Sequence, residues 1–187
     1  MEKSYARSRI LKLRGEMSSE ECASLSYTIC RKFLDSPEYK NASSILLYKA
    51  YNNEVDTELI FDRALHDGKT VAYPRSCIID GEPELSFYTV SDRQCFVSGY
   101  KGIMEPDDEC ESFEGLADIC ITPGVAFDRN CHRVGYGKAF YDRYLRVHDI
   151  KTVIALAYDI QIVDMIEVSD KDISPDMVIT ETSVYKR

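Results

Sequence analysis

Hydrophobic positions fall into alternating helix-like and strand-like runs. Ala6, Ile10 and Leu13 recur at helical spacing and predict an amphipathic first helix. At about 100° per residue, Lys3, Arg7 and Arg14 lie within about 40° of one another beside that stripe. A second helix is expected after Met17. Ser18 and Glu21 make a capping-box pair, Cys22, Leu25, Ile29 and Phe33 give a buried face, and Pro37 ends it. Ser44 to Tyr48 reads as a buried strand. Asp56 and Thr57 cap a further helix whose inner side is Leu59, Ile60, Phe61, Ala64 and Leu65, and Asp67-Gly68 stops it. Thr70 to Tyr73 is a strand closed by Pro74, and Glu84 to Val90 alternates as a meander strand. Residues 99–116 read as a loop with an acidic surface. Asp118 to Thr122 is a strand entering Pro123-Gly124, and 137–148 is helical. Lys151 to Tyr158 is a buried strand and Met177 to Thr180 a short last one.

Strands separated by helices predict an α/β protein: a three-layer fold with a mainly parallel sheet flanked by helices, with room for a small extra antiparallel lobe. No repeat, low-complexity tract or linker interrupts the chain. At 187 residues, 1–187 is expected to form a single domain.

Charge changes the picture. There are 23 Lys and Arg against 32 Asp and Glu, a net charge of −9, which disfavours a nucleic-acid partner. Residues 105–114 carry six acids and no base, whereas 1–14 carry five bases and 128–146 another five. Two basic islands in an acidic protein suit a small anionic ligand. No apolar run approaches the roughly 18 residues of a membrane span, and the first residues lack a secretory apolar core. The expectation is a cytoplasmic protein without a membrane partner. Seven cysteines without a CxxC pair are expected to be free thiols. The oligomeric state has no clear signal; a monomer is the working expectation.

The chemistry gathers in Thr122-Pro123-Gly124-Val125-Ala126-Phe127-Asp128, followed by Arg133-Val134-Gly135-Tyr136-Gly137-Lys138-Ala139-Phe140-Tyr141-Asp142-Arg143. A buried strand enters a glycine-bearing loop that opens a helix. Glycine lets backbone N–H groups approach an oxyanion, and a helix N-terminus adds partial positive charge. Arg133 and Lys138 add full charges. Lys138 and Asp142 are four apart, so a shared helix face would set a cation beside a carboxylate, as a nucleotide phosphate with magnesium requires. Spacing alone also allows a tight turn with an ordinary i,i+4 ion pair.

This stretch resembles the signature of the 5-formyltetrahydrofolate cyclo-ligase family: Pro-Gly-x-x-Phe-Asp, a short spacer, then Arg-x-Gly-x-Gly-x-Gly-Tyr-Tyr-Asp. Four further segments resemble family motifs in the same order. They are Lys3-x-x-x-Arg7, Glu54-Val55-Asp56-Thr57, Tyr73-Pro74-Arg75 and Gly102-Ile103-Met104-Glu105-Pro106, with Ser174-Pro175-Asp176 near the end. Ala139 stands where the family usually has Gly, and Phe140 where it has the first Tyr. Helix propensity puts Ala139 in or just before the first helical turn, where a methyl is harmless; at positive φ it would be strained.

The resemblance implies ATP- and magnesium-dependent cyclisation of 5-formyltetrahydrofolate to 5,10-methenyltetrahydrofolate, with ADP and phosphate released. It implies that Lys3 and Arg7 reach the triphosphate, that Arg133 to Tyr141 form the cradle, and that Arg133, Lys138 and Asp142 serve the chemistry. Asp142 and Asp176 would hold the metal. Glu54 and Asp56 would meet the pterin, with Tyr51, Tyr136 and Phe140 beside the flat ring; Asp56 has a plain helix cap as its alternative role. Arg75 and Glu105 would shape the pocket, and His132 is expected as an exposed loop residue. A sugar-phosphate isomerase or CoA-transferase-like enzyme on a related fold, or a non-catalytic folate or nucleotide binder, remain the competing readings.

Overall fold

The computed structural model describes residues 1–187. The chain begins with α1 (Lys3–Gly15), α2 (Ser19–Leu34), a one-turn α3 (Pro37–Asn41), β1 (Ser44–Leu46) and α4 (Glu58–His66). A long hairpin follows, β2 (Thr70–Ile79) and β3 (Glu82–Thr89), then a short one, β4 (Phe96–Ser98) and β5 (Met104–Pro106). After these come β6 (Ala117–Thr122), β7 (Ala126–Asp128), β8 (Arg133–Val134), α5 (Phe140–Val147) and β9 (Ile150–Leu156). The chain closes with β10 (Ile162–Val163), β11 (Met177–Ile179) and β12 (Val184–Lys186).

The main sheet has seven strands in the order β12-β11-β9-β6-β1-β2-β3. Its five inner strands are parallel, and an antiparallel strand closes each edge. Side chains alternate across it as the pleat requires. Ile45, Leu47, Ile119, Ile121, Ile154 and Leu156 face one way, against Ile29 and Phe33 of α2 and Ile60, Phe61 and Ala64 of α4. Leu46, Ala72 and Cys120 face the other way, under Tyr144 of α5. Beside α5 on this second face lies a three-stranded sheet, β10-β7-β8, whose Phe127 packs on Ala155 and Val178. Ala6 and Ile10 of α1 cover that small sheet against Val125, Ala126 and Val134. The expected three layers and mainly parallel sheet are present, and a two-stranded β4–β5 hairpin supplies the antiparallel addition.

Several local expectations are corrected. Leu13 is exposed, and Arg14 takes the buried place beside Ile10. β2 does not end at Pro74 but continues to Ile79 opposite β3. β1 stops at Leu46, opposite Ala72, so beyond that point β2 pairs only with β3, and proline's missing donor is tolerated on the free side. Residues 99–116 are not all loop, since β5 pairs with β4. The helix expected from 137 starts only at Phe140. His132 is not a free surface group: its Nδ1 lies 2.9 Å from Oδ2 of the fully buried Asp128.

Candidate functional site

From β1 the chain passes outward to β2, and from β6 it passes to β9 and β11 on the opposite side. The two connections diverge between β1 and β6, and open parallel sheets bind ligands beyond the carboxyl ends of strands at such a point. A cleft of ≈ 330 Å³ lies there. Tyr48 to Glu54 after β1 and Pro123 after β6 form its floor, the β4–β5 hairpin one wall, and the loop from Gly135 to Phe140 the other.

The phosphate side is built from three distant segments. Gly124 permits the turn out of β6: a Cβ there would sit 2.3 Å from Cζ of Phe127. Arg133 is nearly buried. Its Nη1 donates to Pro123 O at 3.1 Å and its Nη2 to Asp142 Oδ1 at 2.7 Å. Asp142 also accepts the Ile173 N–H at 3.1 Å. The expected Lys138–Asp142 pair is therefore absent. Lys138 lies before the helix, exposed on the cleft rim with no ion pair, and Arg133 takes the carboxylate instead. Arg7 reaches the same loop from α1. Its Nε donates to Gly135 O at 2.8 Å, and its guanidinium lies against Gly137, whose φ is +95°. Lys3 pairs with Asp172, one residue before the N–H held by Asp142.

Ala139 has φ +56° and precedes α5 as its N-cap, so the expectation of a harmless helical position is overturned. A left-handed Ala costs about 1–2 kcal/mol. Val134 belongs to β8 and is buried in the core under α1, away from the cleft. Tyr141 is half-buried over the same layer as Tyr144, while Phe140 reaches the hairpin wall, its ring 5.7 Å from that of Tyr100.

The other half of the cleft holds Glu54. It is buried, its Oε2 accepts the Tyr51 N–H at 3.0 Å, and its Oε1 has no partner. Burial lifts its carboxyl to about 7, against the pull of Arg14, the Tyr51 N–H and the Tyr136 hydroxyl. Tyr51 and Tyr136, both half-exposed, stand edge to face at 6.4 Å across the mouth. Glu105 is a second buried carboxylate of the cleft, tied through Oε1 to the Ser76 N–H at 3.0 Å. Arg75 points away, to Pro106 O and Asp108.

Two expected residues stand elsewhere. Asp56 is exposed and its Oδ1 accepts the Glu58 N–H at 2.8 Å, the helix-capping alternative, because the chain has turned away from the cleft by this residue. Asp176 leads into β11; its Oδ2 accepts the Val153 N–H at 2.9 Å and its Oδ1 lies 3.6 Å from Arg187. Of the acids in this stretch it is Asp172 that pairs with Lys3, and the N–H of the next residue, Ile173, donates to Asp142. Sequence reasoning missed it because a loop acid three residues before Pro175 carries no periodic signal. It also missed Arg14 as a site residue.

No cluster of three or more His, Cys, Asp or Glu could hold a metal by itself. Asp142 suits magnesium all the same: Oδ1 is engaged and Oδ2 is not. Magnesium commonly takes one or two carboxylates and fills its remaining positions with water and phosphate oxygens. No helix is long and apolar enough to cross a membrane.

Comparison with known proteins agrees with this geometry. Residues 1–181 match the 5-formyltetrahydrofolate cyclo-ligase family. A probable 5-formyltetrahydrofolate cyclo-ligase of Caenorhabditis elegans is 29% identical, the match covering 96% of this chain and 92% of the relative. The mouse 5-formyltetrahydrofolate cyclo-ligase is 29% identical over 89% of this chain and 87% of its own. Among solved structures, the 5,10-methenyltetrahydrofolate synthetase of Aquifex aeolicus is similar at a TM-score of 0.85 and 32% identity, covering 98% of this chain and 92% of that one. With a family match across nearly its whole length, and with Glu54 and the glycine loop facing one cleft, the chain belongs to the 5-formyltetrahydrofolate cyclo-ligase family.

Proposed function

We propose that this protein uses ATP to close 5-formyltetrahydrofolate into 5,10-methenyltetrahydrofolate, releasing ADP and phosphate. The observation that carries the reading is the meeting of two unlike half-sites in one cleft. A cationic glycine loop braced by Arg7 adjoins a buried, partly unpartnered Glu54 flanked by tyrosines.

The formyl group of an amide is a weak electrophile with a poor leaving oxygen. Phosphoryl transfer from ATP to that oxygen turns it into a phosphate leaving group. N10 of the folate then attacks the formyl carbon, the carbon–oxygen bond breaks with its electron pair leaving on phosphate, and the N10 proton is lost. The protein's part is positioning and charge stabilisation. Lys138, free of any acidic partner, and the N–H groups before α5 meet the triphosphate. Arg133 sits too deep to be a free phosphate ligand, and orients Asp142 and the Pro123 turn instead. Magnesium, held through Asp142, would neutralise phosphate charge. Glu54 takes N–H donors of the pterin, and Tyr51, Tyr136 and Phe140 flank the ring. Seven free thiols suit a reducing, cytoplasmic compartment.

The test is an assay with 5-formyltetrahydrofolate, ATP and magnesium, following the near-ultraviolet absorbance of the methenyl product together with ADP. Product that requires ATP supports the proposal. Folate binding without ADP release would overturn it in favour of a binding protein.

A further inference from the structure

Arg14 has no exposed surface, and no carboxylate lies within salt-bridge distance of it. A buried, unpaired guanidinium is expensive. Packing does not explain it, because Leu13 beside it is left exposed. Nor does the turn after β6 require it. Gly124 O already accepts Gln161 Nε2 at 3.0 Å, whereas Arg14 Nη1 reaches the same oxygen only at 3.4 Å.

Its closest side-chain contact leads to the folate side of the cleft. Nη2 donates to the Tyr136 hydroxyl, and the guanidinium carbon lies 5.7 Å from that ring's centroid. The Arg14 carbonyl accepts Asn53 Nδ2 at 2.9 Å, which anchors the residue preceding Glu54. The Arg14 charge and the Tyr136 hydroxyl both favour the ionised form of Glu54 against its burial. Arg7, seven residues earlier and so about 10 Å away along α1, serves the glycine loop instead.

We infer that Arg14 is a positioning residue for the folate half of the site: its guanidinium fixes the Tyr136 hydroxyl beside Glu54, and so presents the Glu54 carboxylate to the substrate's ring N–H donors. This rests on the reading of Glu54 as a substrate contact. α1 then serves both substrates, with its first turns on the nucleotide and its last turn on the folate.

The experiment compares Arg14→Met, Arg14→Lys, Tyr136→Phe and Glu54→Gln. It measures kcat, both KM values, and equilibrium binding of 5-formyltetrahydrofolate without ATP. Arg14→Met and Tyr136→Phe should each weaken folate binding and raise the folate KM roughly ten-fold, the scale of one hydrogen bond to a charged group. The ATP KM should stay within about two-fold, Arg14→Lys should recover part of the loss, and the Met/Phe double variant should be little worse than either single one. If Arg14→Met does not fold, Arg14→Lys and Tyr136→Phe, singly and together, decide the matter: losses of folate binding that overlap in the double variant carry the inference, and losses that simply add overturn it. Unchanged folate binding in Tyr136→Phe, or equal loss for both substrates, overturns the inference. If Glu54→Gln also leaves folate binding unchanged, it is the underlying reading of Glu54 that has failed. If Glu54→Gln alone weakens binding, only the role of Arg14 has.

Discussion

Arg7 and Gly135 are joined across 128 positions of sequence, the Arg7 Nε donating to the glycine carbonyl at 2.8 Å. The bond uses one guanidinium nitrogen and leaves the others beside Gly137. Arg7 therefore braces the loop, and in the proposed function it also offers positive charge to the triphosphate. Arg7→Ala should raise the ATP KM roughly ten-fold or more and the folate KM far less. Steady-state titration of each substrate checks this, and equal effects on both would separate Arg7 from the nucleotide.

Ala139 is the one place in the cradle where the chain holds an ordinary residue in a strained conformation. Its φ of +56° costs about 1–2 kcal/mol, while glycine there would add some unfolded-state entropy. Ala139→Gly should therefore stabilise the protein by a net of about 0.5–1 kcal/mol. Thermal unfolding should show a Tm higher by a few degrees, with turnover equal or greater. A lower Tm would mean that the loop does not hold Ala139 at positive φ in solution.

The layers were legible because strand alternation and helix periodicity report burial directly. Ile45, Leu47, Ile119 and Ile121 appear on one face as the pattern requires. What stayed hidden depends on contacts distant in sequence. β7, β8 and β10 are two or three residues long, too short for any period, and exist only because they pair with one another beneath α1. Arg14 read only as one of three basic residues beside the apolar stripe of α1, since its burial depends on Tyr136 and Gly124, more than a hundred residues away. The cradle's position was legible from its glycines, but its internal pairing was not. Lys138 and Asp142 have helical spacing, yet the helix begins after Lys138, and Arg133 takes the carboxylate.

Glu54 should give the site its pH dependence. Its carboxyl ionises only near 7 because it is buried. In the proposed function the pterin N–H groups bind the ionised form, so folate affinity should rise as pH passes through about 7, and Glu54→Gln should be weaker and flat. The effect on folding has the opposite sign. The folded state holds this proton more tightly than the unfolded state, so Glu54's contribution to stability declines as pH rises from the ordinary glutamate range to about 7. Folate-binding isotherms and denaturant midpoints at several pH values test both signs. A folate affinity independent of pH in this range would remove Glu54 from the binding step.

The cysteines should titrate as seven free thiols in the denatured chain without reductant. In the native protein Cys77, which is exposed, should react first. Burial pushes the Cys30 and Cys120 thiols up to about 12, so both should stay silent until unfolding. Counting thiols in the two states with an aromatic disulfide that releases a coloured thiolate gives the answer, and native disulfides would contradict the free thiols seen in the fold.

Asp142 carries two burdens that one substitution can separate. It is the carboxylate with an oxygen free for magnesium at the cleft, and it is the acidic partner of Arg133, whose side chain is only 4% exposed. Asp142→Asn keeps an acceptor for the Ile173 N–H but removes the charge facing the guanidinium. Removing one partner of a buried pair costs about 3–5 kcal/mol; retained hydrogen bonding and partial exposure should reduce this to about 2. Transition-state charge stabilisation of this kind is worth a further loss of roughly 10²-fold or more in turnover. The two effects separate by temperature and magnesium. Well below its melting transition the Asn form should be fully folded, yet need far more magnesium and turn over slowly. Near-normal turnover at low magnesium, with only the Tm reduced, would leave Asp142 as a structural partner of Arg133 and take the metal away from it.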